Sequence, residues 1–434
     1  MKSKRILGWI VLLVISLIPV ILLFSFGPET KEFNDYSTIT HTFGEIFGLV
    51  GMTMFSLTFV LSTRIKFIED IFGGLDKVYL AHGILGGTAL MLVLFHPIFL
   101  VLKFIPSSFS TAAKYLLPSS YWSVNFGIIA LLGLIFLISV TLFTKIKYHK
   151  WKFSHEFLGL VFIFAVLHIF LVRGVAFQDN IFSGYYVYAG IVSFIGIIAF
   201  SYSLFLKNRI MKNAVYTISK IEKDKDKLAI EMTPEHKPLS YKSGQFVFVR
   251  FYNQNLSKEA HPFSIASKSN SDSIKIIIKK LGDFTNKLEH LNVGDKVSLE
   301  GPYGRFNVDC KLKHQIWIAA GIGITPFLGM LEDLENCEGA KVDLYYSAKD
   351  DSDFTSHNFI SEKASKIKNF RFIPWNSTKL GRISTKEIKK MSEGLSDKEF
   401  FLCGPDGFKE NIIHDLVKSG VKKENIHEEA FDFR

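Results

Sequence analysis

The chain has 434 residues, enough for two or three domains, with 48% hydrophobic and 21% charged residues that segregate along the sequence. Apolar runs repeat up to about residue 206, and from residue 207 lysine and acidic residues dominate. The net charge of +10 does not indicate a nucleic-acid partner, because many lysines flank apolar runs and no basic stripe alternates with stacking aromatics. The three cysteines form no CxxC motif, so we expect a reducing location and neither a metal site nor a disulfide framework.

Six apolar runs in the first half are long enough to cross about 30 Å of hydrocarbon as helices. They cover residues of about 6–26, 43–62, 78–102, 124–143, 154–172 and 185–206. The first run exceeds the h-region of a signal peptide and no small-residue cleavage site follows it, so we interpret it as a membrane helix. The sequence therefore predicts a six-helix transmembrane bundle over residues 1–207.

An even number of spans places both ends of the chain on one side of the membrane. The loops on that side are STRIKFIEDIFGGLDK, TKIKYHKWK and KNRIMKNAVYTISK. They are richer in lysine and arginine than GPETKEFNDYSTIT, KFIPSSFSTAAKYLLP and VRGVAFQDN. The positive-inside rule therefore predicts a plasma-membrane protein with its termini and its second half in the cytoplasm.

The third and fifth runs each carry two histidines, which are costly in hydrocarbon and are expected to face the bundle interior with a partner. On an ideal helix, His82 and His96 lie about 21 Å apart in rise and about 40° apart in azimuth. His155 and His168 lie about 19.5 Å apart in rise. Because odd-numbered spans run parallel, His82 should meet His155 on the inner side. His96 should then meet His168 on the outer side, and paired imidazoles suit a six-coordinate haem.

Two details of these runs bear on a flat ligand. Gly86 and Gly159 each follow a histidine by four positions on the same helical face, so both helices lose bulk beside the imidazole, as a porphyrin requires. Helix packing is the alternative role for these glycines. Thirteen residues leave about 140° of azimuth between His155 and His168, which a bend, a π-bulge or different ring orientations must absorb.

Two further residues of the bundle have two interpretations each. Arg64, just past the inner end of the second run, could bind haem propionates or act as a positive-inside anchor. Phe162 lies about midway between His155 and His168 and could sit between two haems. Packing is its expected role in a chain with 42 phenylalanines.

Residues 212–309 alternate in short strand-like runs separated by turn residues, which predicts a small antiparallel β-barrel. HPFSIAS, at residues 261–267, combines an aromatic ring, hydroxyls and a side chain able to carry positive charge. LGDFT, at residues 281–285, places a glycine and a hydroxyl at the start of a helical segment, where free N–H groups can bind an anion. Ordinary strand and turn are the alternative explanation of each stretch taken alone.

Residues 312–434 alternate strands and helices, the pattern of a doubly wound α/β domain. Gly321 and Gly323 follow the first strand, where backbone N–H groups can meet a pyrophosphate. Thr325 is the expected N-cap of the next helix, with Pro326 at its first position. Pro326 also replaces the third glycine of G-x-G-x-x-G, so this is not the ordinary dinucleotide fingerprint.

A later strand ends in CGP at residues 403–405, at the edge where open α/β sheets bind ligands. In chain order, HPFSIAS, GDFT, GPYGRF, AAGIGITP, LYYSAK and FLCGP resemble the ferredoxin-reductase-type FAD/NAD(P)H module. Joined to six spans with paired histidines, the chain resembles the NADPH oxidase/ferric reductase superfamily, and within it the prokaryotic NADPH-oxidase-like members.

The resemblance implies an FAD site in the barrel. Ser264 would lie near flavin N5 and Phe263 would pack on the isoalloxazine. His261 would contact the phosphate and ribityl region, and Thr285 the pyrophosphate. The complete set of implied FAD-binding residues is His261, Pro262, Phe263, Ser264, Ile265, Ser267, Gly282 and Thr285.

The resemblance also implies sites for NADPH or NADH and for two b-type haems. The implied nucleotide-binding residues are Gly321, Gly323, Thr325, Pro326, Ser347 or Lys349, Arg382, Cys403, Gly404 and Pro405. Ser264, Cys403 and a phenylalanine stacked on the flavin, Phe433 in preference to Phe431, would be the catalytic residues. The implied haem ligands are His82, His96, His155 and His168, with Arg64 at the propionates.

The implied activity is electron transfer from cytosolic NADPH or NADH through FAD and the haems across the membrane to O2, which produces superoxide. A ferric-chelate or quinone reductase on the same scaffold is one alternative, and a haem-free transporter with a regulatory domain is another. The short outer loops carry no acidic or metal-ligand cluster, which favours O2. Because the chain has no EF-hand pattern and no long N-terminal extension, we expect constitutive activity and no obligate protein partner.

Overall fold

The structure is a computed structural model that describes residues 2–26, 35–144, 146–172, 184–207, 214–257, 259–312, 314–337 and 339–429. Its internal contacts divide the chain into two compact units. The helical unit comprises Ser3–Arg209, and the C-terminal unit comprises Ile210–Arg434 together with Met1–Lys2.

The helical unit contains nine α-helices within its described residues. They are α1 (Lys2–Phe26), α2 (Tyr36–Ser62), α3 (Lys66–Phe72), α4 (Leu75–Leu102), α5 (Phe109–Tyr115), α6 (Trp122–Phe143), α7 (Tyr148–Glu156), α8 (Leu158–Leu171) and α9 (Gly184–Ser201). Six stretches are long and apolar enough to cross a membrane: Ile6–Ser25, Tyr36–Ser62, Leu75–Leu102, Trp122–Phe143, Tyr148–Leu171 and Gly184–Leu206. The predicted six-helix architecture is therefore confirmed, with an earlier start for every span after the first.

The fifth span is interrupted between its two histidines. Helix α7 ends at Glu156 and α8 begins at Leu158, and the N–H of Phe157 donates to the carbonyl of Ser154 at 3.2 Å, one residue short of α-helical spacing. A tighter turn changes the azimuth of every residue that follows it. The structure therefore has a tightened turn between the two histidines, which differs from the π-bulge that was one of the three expectations.

The first half of the C-terminal unit is an antiparallel sheet of six strands in the order β4-β3-β6-β1-β2-β5. The strands are β1 (Val215–Asp224), β2 (Lys227–Pro234), β3 (Phe246–Tyr252), β4 (Ala260–Ser264), β5 (Ile274–Lys279) and β6 (Lys296–Tyr303), with the short helix α10 (Asp283–Lys287) after β5. An antiparallel bridge from Ile265 to Ile276 joins the two edge strands. The sheet thus closes on itself, as the predicted barrel requires.

The second half of the C-terminal unit is a parallel sheet in the order β11-β10-β7-β8-β9. Its strands are β7 (His314–Ala320), β8 (Lys341–Ala348), β9 (Phe370–Asn376), β10 (Glu399–Cys403) and β11 (Ile426–Glu428). Its helices are α11 (Thr325–Leu334), α12 (His357–Lys366), α13 (Ser377–Leu380), α14 (Thr385–Met391) and α15 (Asp406–Lys418). The strand order reverses between β7 and β10, where doubly wound sheets bind their ligands.

The expectation about cysteines is wrong in one respect. The structure joins Cys310 and Cys337 by a disulfide across 27 residues, with their Cα atoms 5.1 Å apart, and leaves Cys403 free and buried. Cys310 follows the last barrel strand, whereas Cys337 follows helix α11. The fold brings together two segments that are distant in sequence. No local spacing motif therefore predicts the disulfide between Cys310 and Cys337.

Helix α1 depends on a hydrogen bond from α9. Pro19 lies inside α1 and has no N–H, so the carbonyl of Ile15 lacks its usual partner four residues later. The hydroxyl of Tyr188 donates to that carbonyl at 2.5 Å. A backbone acceptor that would otherwise be unsatisfied in an apolar setting is thus paired by a side chain from another helix.

Replacing Tyr188 by phenylalanine should therefore loosen α1. The substitution keeps the ring but leaves the Ile15 carbonyl without a donor, at a cost of about 1–2 kcal/mol. We expect the thermal unfolding midpoint of the full chain in detergent, followed by tryptophan fluorescence, to fall by about 2–8 °C. Tyr121, which is 71% exposed, supplies the control: Tyr121→Phe should not change the midpoint. Equal midpoints for the two variants would contradict the role of Tyr188.

Candidate functional site

Four histidines form two pairs inside the helical unit. The ring centroids of His82 and His155 are 6.1 Å apart, and we call these residues the first pair. The ring centroids of His96 and His168 are 6.2 Å apart, and these form the second pair. The structure thus brings together the same partners that the helical rise of α4 and of the fifth span predicts.

Three of the four rings are held by backbone carbonyls of a neighbouring helix. The Nδ1 contacts are His82 to Thr58 O at 3.0 Å, His96 to Gly44 O at 2.7 Å, and His168 to Ser123 O at 2.7 Å. The fourth, His155, lies 3.3 Å from a hydroxyl oxygen, Oγ1 of Thr141. A carbonyl only accepts hydrogen bonds, so Nδ1 of each of the three rings must carry the proton, and Nε2 then offers a lone pair.

Glycines make room for the second pair. A Cβ on Gly48 would lie 2.7 Å from Nδ1 of His96, and a Cβ on Gly127 would lie 2.7 Å from Nδ1 of His168. Any larger residue at either position would push the imidazole away from its carbonyl. Neither glycine was predicted from the sequence, because they lie on α2 and α6 rather than on the helices that carry the histidines.

The two glycines singled out from the sequence behave differently. A Cβ on Gly159 would lie 2.1 Å from the ring of Phe200, so this glycine lets α8 and α9 pack closely. Of the two roles that the sequence left open for Gly159, the contact with Phe200 favours helix packing. A Cβ on Gly86 would lie 3.8 Å from Cγ2 of Thr58, which is an ordinary van der Waals distance. A side chain at this position would therefore not overlap that atom.

An apolar cluster occupies the middle of the bundle. Phe162 is fully buried there and contacts the rings of Phe55 and Phe59 at centroid distances of 5.2 and 5.0 Å. The cluster also includes Ala89, seven residues from each histidine of α4. Phe162 thus packs against α2, in line with its expected packing role.

Arg64 lies at the junction of α2 and α3 in a left-handed backbone conformation, with φ of 59°. Its Nε donates to the hydroxyl of Tyr79 at 2.6 Å, and its guanidinium lies 5.9 Å from the centre of that ring. Tyr79 precedes His82 by three residues on α4, within one turn of the helix. The arginine is therefore fixed at the end of the bundle that holds the first pair.

The HPFSIAS segment spans the edge strand β4 and the turn after it. His261 stacks on Phe284 with ring centroids 3.6 Å apart, and Pro262 pairs with β3. Phe263 packs on the barrel core and Ser264 is buried. The structure places these four residues in a continuous stretch of one strand.

Other residues expected at the FAD site serve the barrel itself. Ile265 is fully buried in the core, and the hydroxyl of Ser267 bonds to Tyr241 at 2.7 Å and accepts from the N–H of Lys275 at 3.1 Å. The hydroxyl of Thr285 accepts from the N–H of Gly282 at 3.0 Å. Thr285 therefore organises the start of α10 with an oxygen that the sequence analysis assigned to a pyrophosphate.

The GIGITP segment begins with a 3₁₀ turn, Gly321–Ile324, that runs directly into α11. Gly321 has φ of +55° and no atom within 4 Å of a Cβ placed on it, so its backbone borders open space. A Cβ on Gly323 would lie 2.3 Å from the carbonyl oxygen of Cys403, which requires glycine where the β7 and β10 loops meet. This contact lies at the point where the strand order reverses.

The predicted cap of α11 is wrong. Thr325 is the first residue of the helix rather than its N-cap, and its hydroxyl donates backwards to the carbonyl of Ile322 at 2.8 Å. The 3₁₀ turn places Thr325 one residue deeper than the pattern suggests, and Pro326 accordingly takes the second position. Both residues are buried.

Three polar groups converge between the barrel and the parallel sheet. The hydroxyl of Ser264 donates to Oε2 of Glu429 at 3.4 Å, and Sγ of Cys403 lies 3.9 Å from the same oxygen. Burial, reinforced by the Glu429 carboxylate, raises the pKa of the Cys403 thiol well above its usual range. The thiol is thus held neutral and does not act as a thiolate nucleophile.

Glu429 is the residue of this cluster that the sequence analysis missed. It follows β11, and its carbonyl accepts from Nζ of Lys409 at 2.8 Å. Lys409 is itself only 2% exposed, and its Nζ lies 3.2 Å from Oδ1 of Asp406. The position of Glu429 directly after the last strand is the one sequence feature that could have indicated it. Phe431 and Phe433, on which the sequence analysis concentrated, lie outside the described residues.

The remaining residues expected to bind nucleotide lie along the carboxyl edge of the parallel sheet. Ser347 is half-buried near the end of β8, and Arg382 is exposed between α13 and α14. A cleft of about 470 Å³ is lined by Asp351, Phe354, His357, Pro374, Asn376, Lys379 and Leu380, and neither Ser347 nor Arg382 is among these lining residues. Gly404 and Pro405 follow β10 directly, so the structure gathers the predicted nucleotide residues at one edge.

Known families and proteins resemble the chain in three parts. Residues 47–166 match a ferric reductase like transmembrane component, residues 210–307 an FAD-binding domain, and residues 317–413 an oxidoreductase NAD-binding domain. The first match contains three of the four paired histidines and ends two residues before His168.

Curated relatives match about half of the chain. The reductase component of propane 2-monooxygenase from Mycolicibacterium smegmatis is 28% identical over 227 residues, 48% of this chain and 64% of that protein. The ferredoxin reductase component of 3-ketosteroid-9-alpha-monooxygenase from Mycobacterium tuberculosis is 26% identical over 205 residues, 46% of this chain and 57% of that protein. The chain thus spans less than two thirds of the length of these relatives.

Among solved structures, a flavohemoglobin from Malassezia yamatoensis is 18% identical, covers 82% of this chain and 98% of its own, and has a TM-score of 0.48. The three family matches follow one another along the chain without overlap. The chain thus joins a ferric reductase-like transmembrane component to FAD-binding and NAD-binding domains, which is the domain architecture of the NADPH oxidase/ferric reductase superfamily.

Proposed function

We propose that the chain passes electrons from NADPH or NADH through FAD and two b-type haems to O2 on the far side of the membrane, producing superoxide. The observation that carries this proposal is the pair of facing imidazoles at each of two levels in the bundle. When bound, FAD accepts a hydride and releases single electrons, and haem iron carries single electrons.

The separation of the paired rings fits two imidazoles that would hold one haem iron between them. A metal bonds an imidazole nitrogen at about 2.0–2.1 Å, so two rings that shared one iron would have their centroids roughly 6 Å apart. The observed separations are 6.1 and 6.2 Å. Among the described residues, no three potential metal-binding side chains cluster, so a bare ion would lack ligands that a porphyrin supplies.

Three of the four imidazoles are prepared for metal binding by a protonated Nδ1. Because the carbonyls of Thr58, Gly44 and Ser123 take the Nδ1 proton in hydrogen bonds, Nε2 of those three rings keeps its lone pair. Arg64, whose Nε donates to the hydroxyl of Tyr79 one turn from His82, would neutralise propionates. The sequence assignment of Arg64 as a propionate-binding residue therefore stays part of the proposal.

In the C-terminal unit, the buried cluster around Ser264 supports hydride transfer between nicotinamide and flavin. Ser264 can donate a hydrogen bond, the Cys403 thiol stays neutral, and Glu429 lies within reach of both. Gly321 leaves its backbone open to a pyrophosphate near the start of α11. These residues would bind and orient the two ligands while excluding water from between them.

The orientation and the acceptor rest on the sequence. The lysine- and arginine-rich loops favour a plasma-membrane protein whose first histidine pair and C-terminal unit face the cytoplasm. The outer loops carry no metal-ligand cluster in the sequence, which favours O2 over a ferric chelate. Lipid and the two small-molecule substrates are the only partners that we propose.

Replacing either histidine of the second pair should remove one haem. We expect His96→Ala and His168→Ala to hold one haem per chain in place of two, measured as pyridine haemochromogen, because one axial imidazole is lost. Reduction of the flavin by NADPH should persist, since the C-terminal unit is unchanged. His149→Ala, at an exposed histidine of α7, is the matched control and should keep both haems. Two haems in the second-pair variants would contradict the ligand assignment.

Arg382 tests the preference for NADPH. If its guanidinium holds the 2′-phosphate, Arg382→Ala should raise KM for NADPH about 10–100-fold, because one hydrogen-bonded ion pair with the nucleotide is lost. KM for NADH, which has no 2′-phosphate, should stay nearly unchanged. Lys386→Ala removes a neighbouring exposed cation as the control. A parallel rise for both nucleotides in the Arg382 variant would refute the 2′-phosphate role.

The acceptor can be identified by cytochrome c reduction in air, driven by NADPH, with the purified full chain and added FAD. Superoxide reduces cytochrome c, and superoxide dismutase removes superoxide, so dismutase should abolish most of the signal. Haem reduction without a dismutase-sensitive signal would exclude O2 as the one-electron acceptor. Ferric chelates and quinones would then be the next acceptors to assay.

A further inference from the structure

His155 is held differently from the other three paired histidines. Its Nδ1 faces a side-chain oxygen, Oγ1 of Thr141 on α6, at 3.3 Å, where the other rings face main-chain carbonyls. Its ring also stacks on Trp151, one turn earlier on α7, with centroids 5.3 Å apart and planes 13° apart. The ring plane is thus set by an indole and its Nδ1 edge by a hydroxyl.

The hydroxyl of Thr141 is restricted to one role toward His155. A hydroxyl can donate one hydrogen bond and accept others. The proton of Thr141 is used by the carbonyl of Leu137, four residues earlier on α6, at 2.8 Å. The oxygen is therefore left as an acceptor toward Nδ1, which makes the hydroxyl equivalent to the carbonyls that support the other three rings.

We propose that Thr141 is a positioning residue that keeps His155 protonated on Nδ1 and leaves its Nε2 free for a metal. The proposal rests on the function proposed above, since it assumes haem at the first pair. It implies that the two haem sites differ in kind. At the second pair both supports are main-chain atoms that no substitution removes, whereas one support of the first pair is a single side-chain oxygen.

The expected consequence is a selective loss at the first pair. Removing the hydrogen-bond partner that orients a metal-binding histidine typically lowers the metal affinity about 10–100-fold. Thr141→Val keeps the size and branching of the side chain but offers no acceptor, so Nδ1 loses its partner and the ring its preferred tautomer. Thr141→Ser keeps the hydroxyl and should behave as the unchanged chain.

The experiment follows haem retention by the full chain in detergent, without any turnover. Both substitutions are made in the unchanged chain and in the His168→Ala background, in which only the first pair is expected to bind haem. Haem per chain and the rate of haem transfer to excess apomyoglobin are measured. Thr88→Val is the control, because Thr88 makes the same bond to a carbonyl four residues earlier on α4 at 2.9 Å but is exposed.

In both backgrounds, Thr141→Val should speed transfer of the first-pair haem about 10–100-fold, whereas Thr141→Ser and Thr88→Val should leave it unchanged. Equal rates for Thr141→Val and Thr88→Val would overturn the proposal. So would a loss of haem in Thr141→Ser as large as in Thr141→Val. If Thr141→Val yields no folded chain, Thr141→Ala replaces it with the same two outcomes. An unchanged chain without any haem would instead refute the proposed function.

Discussion

An imidazole N–H inside a membrane helix has to find an acceptor in the protein, because hydrocarbon offers none. In this chain that requirement links the helices in pairs. The rings on α4 reach carbonyls of α2, and the rings of α7 and α8 reach α6. Each contact uses Nδ1 and leaves Nε2 for a ligand between the two helix pairs. The hydrogen bonds that hold the bundle together are thus the same bonds that prepare its four imidazoles.

Close approach between neighbouring elements depends on glycine in both units. Gly48 and Gly127 let the second pair lie against the adjacent helices, and Gly159 admits the ring of Phe200. In the C-terminal unit, Gly323 lies against the carbonyl of Cys403 where the β7 and β10 loops meet. At each position a Cβ would overlap a named atom, so the geometry of the site depends directly on the missing side chain.

Local periodicity was enough to predict the six spans, the barrel strands, the α/β alternation and the two histidine pairs, since rise per residue alone sets their depth. Contacts between distant segments were not predictable. The disulfide of Cys310 with Cys337, the hydroxyl that links Ser264 to Glu429, and the ring that fills the space at Gly159 all depend on tertiary neighbours. Thr325 was misplaced for a local reason, because a 3₁₀ turn precedes the helix and moves its N-cap to Ile324.

The two candidate sites share one electrostatic feature. The hydrogen-bond partners that the structure describes for the paired histidines are neutral carbonyls and a hydroxyl, so none of these partners favours a charged imidazolium, which would be unable to bind a metal. Cys403 is kept neutral as well, by burial and by the nearby carboxylate. Under the proposed function, groups that hold one protonation state would not exchange protons when an electron or a hydride passes. The fixed, neutral imidazoles are therefore suited to electron transfer and not to acid–base catalysis.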